Sequence, residues 1–221
     1  MLSLSETLLR FCKKHGLRMN TDLGQHFLVN EEILQSIIHA GNIAPTDHVI
    51  EIGAGIGILT RELLRNTSHV TSIEIDAHLI PLMQAYLKEQ GENRIPTIIH
   101  SNALQVPLPQ EPYKIIANIP YHITSPLLRH AFLESKEPPK SLTLLIQREV
   151  AEKICDTEDA GLLTIIVGLF GKPHIVVNVP PQCFMPPPKV DSAVLHIDCY
   201  DKSLADNPTL ETVMKLAKIA F

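Results

Sequence analysis

From His48 onward, short apolar runs alternate with stretches in which apolar residues recur every three or four positions. His48–Ile52, Val70–Ile75, Thr97–His100, Lys114–Ile119 and Ser141–Gln147 read as strands; Ile58–Arg65, Ala77–Gln90 and Ser125–Glu134 read as helices between them. Continuous apolar runs mark strands buried on both faces. Their alternation with helices predicts an α/β fold, a mostly parallel sheet covered on both sides. Two more strands, His174–Val179 and Ala193–Ile197, follow a helical stretch, Leu162–Phe170. The proline-rich segment Pro180–Pro188 joins them, and so short a connection predicts an antiparallel pair. Ahead of the sheet, Leu4–Arg18 reads as a short amphipathic helix followed by a basic turn, and Asn30–Ala40 as a second helix with Asn30 as N-cap. Asn207–Phe221 begins a helix that meets the chain end without a cap, which reads as the start of a truncated helical domain. The expected organisation is one α/β domain over 1–200, with a helical segment at 1–45, and the beginning of a C-terminal helical domain at 201–221.

Composition narrows the class without naming a chemistry. A chain of 221 residues with 45% hydrophobic content can bury one good core. No apolar run is long enough to cross a bilayer, and the N-terminus lacks the apolar core of a signal peptide, so a soluble, cytoplasmic protein without a membrane partner is expected. Cys12, Cys155, Cys183 and Cys199 lie far apart and form no CxxC pair, as expected of reduced thiols. The net charge of −5 argues against a broadly basic nucleic-acid binder but leaves room for a local basic face. There is no H-E-x-x-H, no phosphate-loop lysine and no Ser/His/Asp order; the histidines are scattered, and no metal site is expected.

The candidate chemistry sits at strand ends. Glu51-Ile52-Gly53-Ala54-Gly55-Ile56-Gly57 follows the first strand of the sheet and opens a helix, where glycines let the backbone turn tightly and approach a ligand. The spacing is G-x-G-x-G, with Ile58 where a dinucleotide fingerprint places its third glycine. Alone, such a loop also serves plain helix–strand packing. Glu74, at the end of the second strand, can accept hydrogen bonds from both ribose hydroxyls of a nucleoside, or merely cap the next helix. Asn102 ends the third strand, where its amide could read an adenine edge. The fourth ends in Asn118-Ile119-Pro120-Tyr121. Here the Asn118 amide oxygen and the Pro120 carbonyl can accept from an exocyclic amine while the Tyr121 ring offers a stacking face. That set suits a base withdrawn from its stack. Taken alone the tetrapeptide reads more readily as a strand-to-loop turn. Four successive strands with polar groups at their carboxyl ends favour the ligand reading.

With these residues in place, the chain resembles the ribosomal RNA adenine dimethyltransferases, specifically the small-subunit group that dimethylates two adjacent adenines near the 3′ end. The likeness runs from about Leu8 to Ile197. It includes Leu23-Gly24-Gln25-His26-Phe27-Leu28, the glycine loop, Glu74, Asn118–Tyr121 and the specific block Phe184-Met185-Pro186-Pro187-Pro188-Lys189-Val190-Asp191-Ser192. The resemblance implies a seven-stranded class I (Rossmann-like) methyltransferase fold with S-adenosylmethionine as donor. His26 and Leu28 would line its methionine side, Gly53 and Gly55 shape the backbone around it, Glu74 hold the ribose, Ile75 pack on the adenine and Asn102 read its amine. Asn118 would border both cofactor and substrate, and Tyr121 and Phe184 would sandwich the flipped base. The implied partner is small-subunit ribosomal RNA in a partly assembled subunit, met by a monomer.

Two residues depart from the family's usual pattern: His26 replaces a common Asn, and Asn102 replaces a common Asp. Asn102 loses a negative charge, so weaker cofactor binding is expected. Arg10, Lys13, Lys14, Arg18, Arg148 and Lys189 are candidate phosphate contacts or an ordinary solvated face. Two other readings stay open at this stage. One is a nicotinamide dehydrogenase, disfavoured by the glycine spacing; the other is a family member with weakened or no catalysis, acting in ribosome assembly or transcription.

Overall fold

In the computed structural model, which describes residues 2–19, 24–201 and Thr212, Ser3 nucleates the first helix through a capping box. Its hydroxyl accepts from the Glu6 N–H at 3.2 Å, and the Glu6 carboxylate accepts from the Ser3 N–H at 2.8 Å. Helix α1 (Leu4–His15) stops at Gly16 and leads into the expected basic turn. After β1 (Phe27–Leu28), Asn30 caps α2 (Glu31–Gly41) as anticipated, accepting from the Ile33 N–H at 3.0 Å. There follow β2 (His48–Ile52), α3 (Ile58–Asn66), β3 (Val70–Glu74), α4 (Leu79–Glu89), β4 (Thr97–His100) and β5 (Tyr113–Asn118). Helix α5 (Thr124–Arg129) widens into a π-helical turn at His130–Glu134. The remaining elements are β6 (Ser141–Gln147), α6 (Arg148–Cys155), α7 (Leu162–Phe170), β7 (Gly171–Val179), β8 (Phe184–Met185) and β9 (Ser192–Cys199).

Seven strands form one sheet in the order β4-β3-β2-β5-β6-β9-β7. Strands β2 to β6 are parallel; β9 inserts between β6 and β7 and is antiparallel to both. The expected α/β architecture with an antiparallel final pair is therefore present. Apolar side chains on the two faces build two cores. One joins the sheet to the first four helices through residues such as Leu8, Leu34, Leu63 and Tyr86. The other joins it to α5, α6 and α7 through Leu127, Phe132, Ile154 and Phe170. The chain winds from β2 outward to β4 and then returns to place β5 on β2's other side. That reversal opens a crevice beyond the carboxyl ends of β2 and β5, where open α/β sheets take their ligands.

Three elements were not expected. Strands β1 and β8 pair antiparallel, Phe27 with Met185 and Leu28 with Phe184, and two-residue strands leave no periodic trace. Helix α6 starts directly where β6 ends, without a side-chain cap on its first turn. The helix expected at 207–221, and with it the further domain at 201–221, lies outside the described residues apart from Asp201 and Thr212. No helix among the described residues is long and apolar enough to cross a membrane.

Candidate active site

A cavity of about 780 Å³ lies over the carboxyl ends of the first four sheet strands, with the 24–28 segment as its opposite wall. The glycine loop and Glu74 form its floor as one unit. Gly55, at φ 58°, donates its N–H to Glu74 Oε2 at 2.8 Å, and Glu74 Oε1 accepts from the Asp76 N–H at 2.9 Å. The buried carboxylate of Glu74 is thus held by two backbone donors, with lone pairs left on each oxygen. At Gly55 a side chain would need the left-handed backbone and would bring its Cβ to 3.0 Å from the Phe27 ring. Gly55→Ala is accordingly expected to lose about 1–2 kcal/mol in urea denaturation; a variant as stable as the parent would contradict this account of the loop.

Asn118 closes β5 at the cavity's centre. Its Nδ2 donates to the His26 backbone carbonyl at 3.1 Å, which fixes the amide and leaves Oδ1 to accept from a ligand. The second acceptor expected from sequence was the Pro120 carbonyl. That oxygen already accepts from the Ile123 N–H at 3.1 Å, closing the short 3-10 turn of Tyr121–Ile123. The Ile119 carbonyl, one residue earlier and also on the cavity wall, accepts from no turn or loop N–H among the described residues. Only its place just past the strand end could have singled it out beforehand. Tyr121 is half-buried in the wall, with its hydroxyl 2.7 Å from Ser192 Oγ. Burial raises its pKa, against the lowering effect of the Ser192 hydrogen bond. The His26 ring lies nearly parallel to that of Tyr121, and its Nδ1–H donates to the Pro186 carbonyl at 2.7 Å.

Leu28, Gly53, Ile75 and Asn102 also line the cavity. Ile75 is 66% exposed, an unusual setting for an isoleucine and one suited to covering a flat apolar ligand. Asn102 Oδ1 accepts from the Leu104 N–H at 3.0 Å, so the oxygen expected to read an adenine amine is already engaged in a local turn. Phe184 does not reach the cavity. The β1–β8 pairing places it in the first core at 3% exposure, so the expected sandwich of Tyr121 and Phe184 around one base is not formed. Among the basic candidates, Lys14 pairs with Glu89 at 2.7 Å and Arg148 with Asp191 at 2.8 Å.

Glu51, two residues before Gly53, has no role predicted from sequence. It is buried behind the glycine loop, where Oε2 accepts from Thr60 Oγ1 and from Ser72 Oγ, each at 2.7 Å. Its Oε1 has no partner among the described residues. Desolvation pushes its pKa from 4.5 up to about 7, the two hydroxyls opposing the rise and the charge of Glu74 adding to it.

The sequence profile of the family described as ribosomal RNA adenine dimethylase matches residues 16–221. A ribosomal RNA small subunit methyltransferase A of Dehalococcoides mccartyi is 40% identical over 214 residues, covering 94% of this chain and 72% of the relative. One from Clostridium botulinum is 42% identical over 194 residues, covering 84% and 69%. Among solved structures, a dimethyladenosine transferase from Plasmodium falciparum superposes with a TM-score of 0.78 at 34% identity, over 89% of this chain and 70% of that one. The 23S rRNA methyltransferase ErmE gives 0.74 at 29% identity, over 87% and 77%. With a matching profile over nearly its whole length and relatives well above 30% identity, the chain belongs to the ribosomal RNA adenine dimethylase family.

Proposed function

We propose that this protein transfers methyl groups from S-adenosylmethionine to the exocyclic amines of two adjacent adenines near the 3′ end of small-subunit ribosomal RNA, as a step in ribosome biogenesis. The observation that carries this reading is the polar edge of the cavity. Asn118 Oδ1 and the Ile119 carbonyl are acceptors side by side in chain order, beside an aromatic face supplied by Tyr121. An adenine amine has two protons to place and a lone pair delocalised into the ring. Two acceptors on those protons favour a pyramidal nitrogen with its lone pair turned out of the ring plane, so positioning and local electrostatics replace a strong base. Pro120 supports this edge as the pivot of the turn, its carbonyl retaining one lone pair.

The residues present fit the donor. The cavity volume suits a nucleoside-sized ligand. Glu74 offers a fixed carboxylate to ribose hydroxyls, Gly53 and Gly55 leave room for close approach, and Ile75 covers a ring face. Leu28, also in the cavity lining, adds an apolar wall for the donor. When bound, S-adenosylmethionine supplies a methyl group on a positively charged sulfur, and a neighbouring aromatic such as Tyr121 favours that charge.

At Asn102 the engaged oxygen leaves Nδ2, a donor, to face an adenine. Asn102→Asp would keep one oxygen on the Leu104 N–H and present a second, charged acceptor to the adenine amine. Calorimetry with S-adenosylmethionine is expected to show roughly tenfold tighter binding by this variant, the difference between a neutral and a charge-assisted hydrogen bond. Unchanged affinity would remove Asn102 from the adenine site.

The partner in this reading is a small-subunit precursor met by a monomer in the cytoplasm. Arg148 and Lys189 line a second depression that shares Gln147 with the cavity, and in this reading they are candidates for phosphate contact. The test is incorporation of labelled methyl into small subunits that lack the modification, with large subunits as control. Label in the small-subunit RNA alone is expected; label in the large subunit, or in neither, would reject the assignment.

A further inference from the structure

Gln147 is the one described residue that borders both the cavity and the depression beside it, where Arg148 and Lys189 lie. It holds the cap position of α6, yet its amide makes no cap bond and no other side-chain hydrogen bond among the described residues. A carboxamide carries two donors and an acceptor oxygen with two lone pairs. Gln147 therefore brings an unengaged group of both kinds to the cavity wall.

Strand register fixes where that group stands. Strand β6 runs parallel to β5, with Leu145 opposite Asn118. Gln147 lies two residues further along, a rise of about 7 Å. That is roughly the length of an adenine from its amine to its sugar carbon. Gln147 also pairs with Ser192, whose Oγ meets Tyr121 Oη at 2.7 Å, so it stands by the polar end of the stacking ring. An adenine with its amine on Asn118 thus brings its ribose to the level of Gln147. Covalent connectivity points the same way, because in a nucleotide the ribose joins base to phosphate. A residue shared by a base cavity and a depression with candidate phosphate contacts faces the sugar between them. In that depression Arg148 is paired with Asp191 at 2.8 Å, whereas Lys189 pairs with no acid among the described residues.

We infer that Gln147 binds the ribose of the target nucleotide, its amide meeting the 2′-hydroxyl, and that this contact favours RNA over DNA at the methylated position. The ligand class is a ribonucleotide with its base in the cavity. This rests on the reading of the cavity as an adenine methylation site and names the residue that reads the target's sugar. A 2′-hydroxyl donates and accepts, as the amide does, whereas a deoxyribose leaves the amide without that partner.

The test crosses one substitution in the protein with one in the RNA. Parent chain and Gln147→Met are given small subunits reassembled around RNA whose two target adenosines carry either ribose or 2′-deoxyribose. For all four pairs, kcat/KM for methyl transfer and RNA Kd are measured, with S-adenosylmethionine Kd taken separately by calorimetry. The parent is expected to prefer the ribose form about fivefold in both readouts, the worth of one neutral hydrogen bond. Methionine is of similar length but has no amide. Gln147→Met should therefore lose about fivefold on the ribose form and treat the two forms alike. Its cofactor Kd should stay within about twofold of the parent. A merely structural role would weaken action on both forms equally and leave the ratio at its parental value. That result overturns the proposal, as does a parent that treats the two forms alike, or a defect confined to cofactor Kd. If the parent methylates neither form, the methylation reading fails, and the two RNA Kd ratios still decide the ribose contact.

Discussion

Asn118→Ala is expected to fold, to bind S-adenosylmethionine close to normally and to lose methyl transfer to RNA by roughly 10²–10³-fold, the cost of removing one preorganised polar contact at the reacting atom. Among the described residues Asn118 makes one side-chain hydrogen bond, from Nδ2 to the His26 carbonyl. Losing it costs about 1 kcal/mol of stability, too little to unfold a domain with two continuous cores. The catalytic loss follows from the oxygen instead. With Oδ1 gone, the adenine amine keeps only the Ile119 carbonyl and relaxes toward a planar, poorly nucleophilic form. Asn118→Asp separates the two roles, because it keeps an acceptor but turns a carboxylate oxygen toward the His26 carbonyl. That replaces an attraction with a repulsion and should also disturb the wall carrying His26. Single-turnover methylation with calorimetry on the same variants reads both effects. A folded Asn118→Ala protein with full turnover would sink the assignment of this edge as catalytic.

Replacing Glu51 with glutamine is expected to flatten the pH dependence of stability. The ordinary value of 4.5 applies to the unfolded chain, and burial raises the folded value to about 7. Between these the folded protein binds the extra proton. Its contribution is therefore fully present below about pH 4.5 and is lost as pH rises through about 7. The loss amounts to about 3 kcal/mol by linkage. A glutamine side chain does not ionise, and its amide oxygen can accept from Thr60 and Ser72 as Glu51 Oε2 does. Urea denaturation at pH 5 and pH 8 should show Glu51→Gln gaining on the parent by about 2–3 kcal/mol at the higher pH and little at the lower. Equal slopes in the two proteins would show that Glu51 is not the group that titrates. The consequence for function is local, because Glu51 backs the loop that carries Gly53 and Gly55 and lies within the field of Glu74.

Much of this architecture was legible because its signals are local. The apolar runs that became β2, β3, β5 and β6 are buried on both faces, so hydrophobicity alone marked them. Asn30 and the glycine loop act through their own backbone, within a few residues of themselves. What escaped depends on partners far along the chain. Strands β1 and β8 lie near opposite ends of the described chain and exist only as a pair. That pairing is what buries Phe184, whose motif suggested a ring facing the substrate. His26 meets Tyr121 and Pro186 only once the fold is closed, so its ring could not be placed from spacing. The choice between the Pro120 and Ile119 carbonyls turned on one turn hydrogen bond, from the Ile123 N–H. The buried Oε1 of Glu51 is likewise a property of packing, since a Glu before a glycine loop has the same letters whether it faces solvent or core.

The most direct measurement digests small-subunit RNA after reaction with the parent chain or Asn118→Ala and identifies the modified nucleosides by mass spectrometry. The account predicts N6,N6-dimethyladenosine at two neighbouring positions near the 3′ end with the parent chain, and almost none with the variant. Methyl groups on another base or another position, or dimethyladenosine formed as readily by Asn118→Ala, would contradict it.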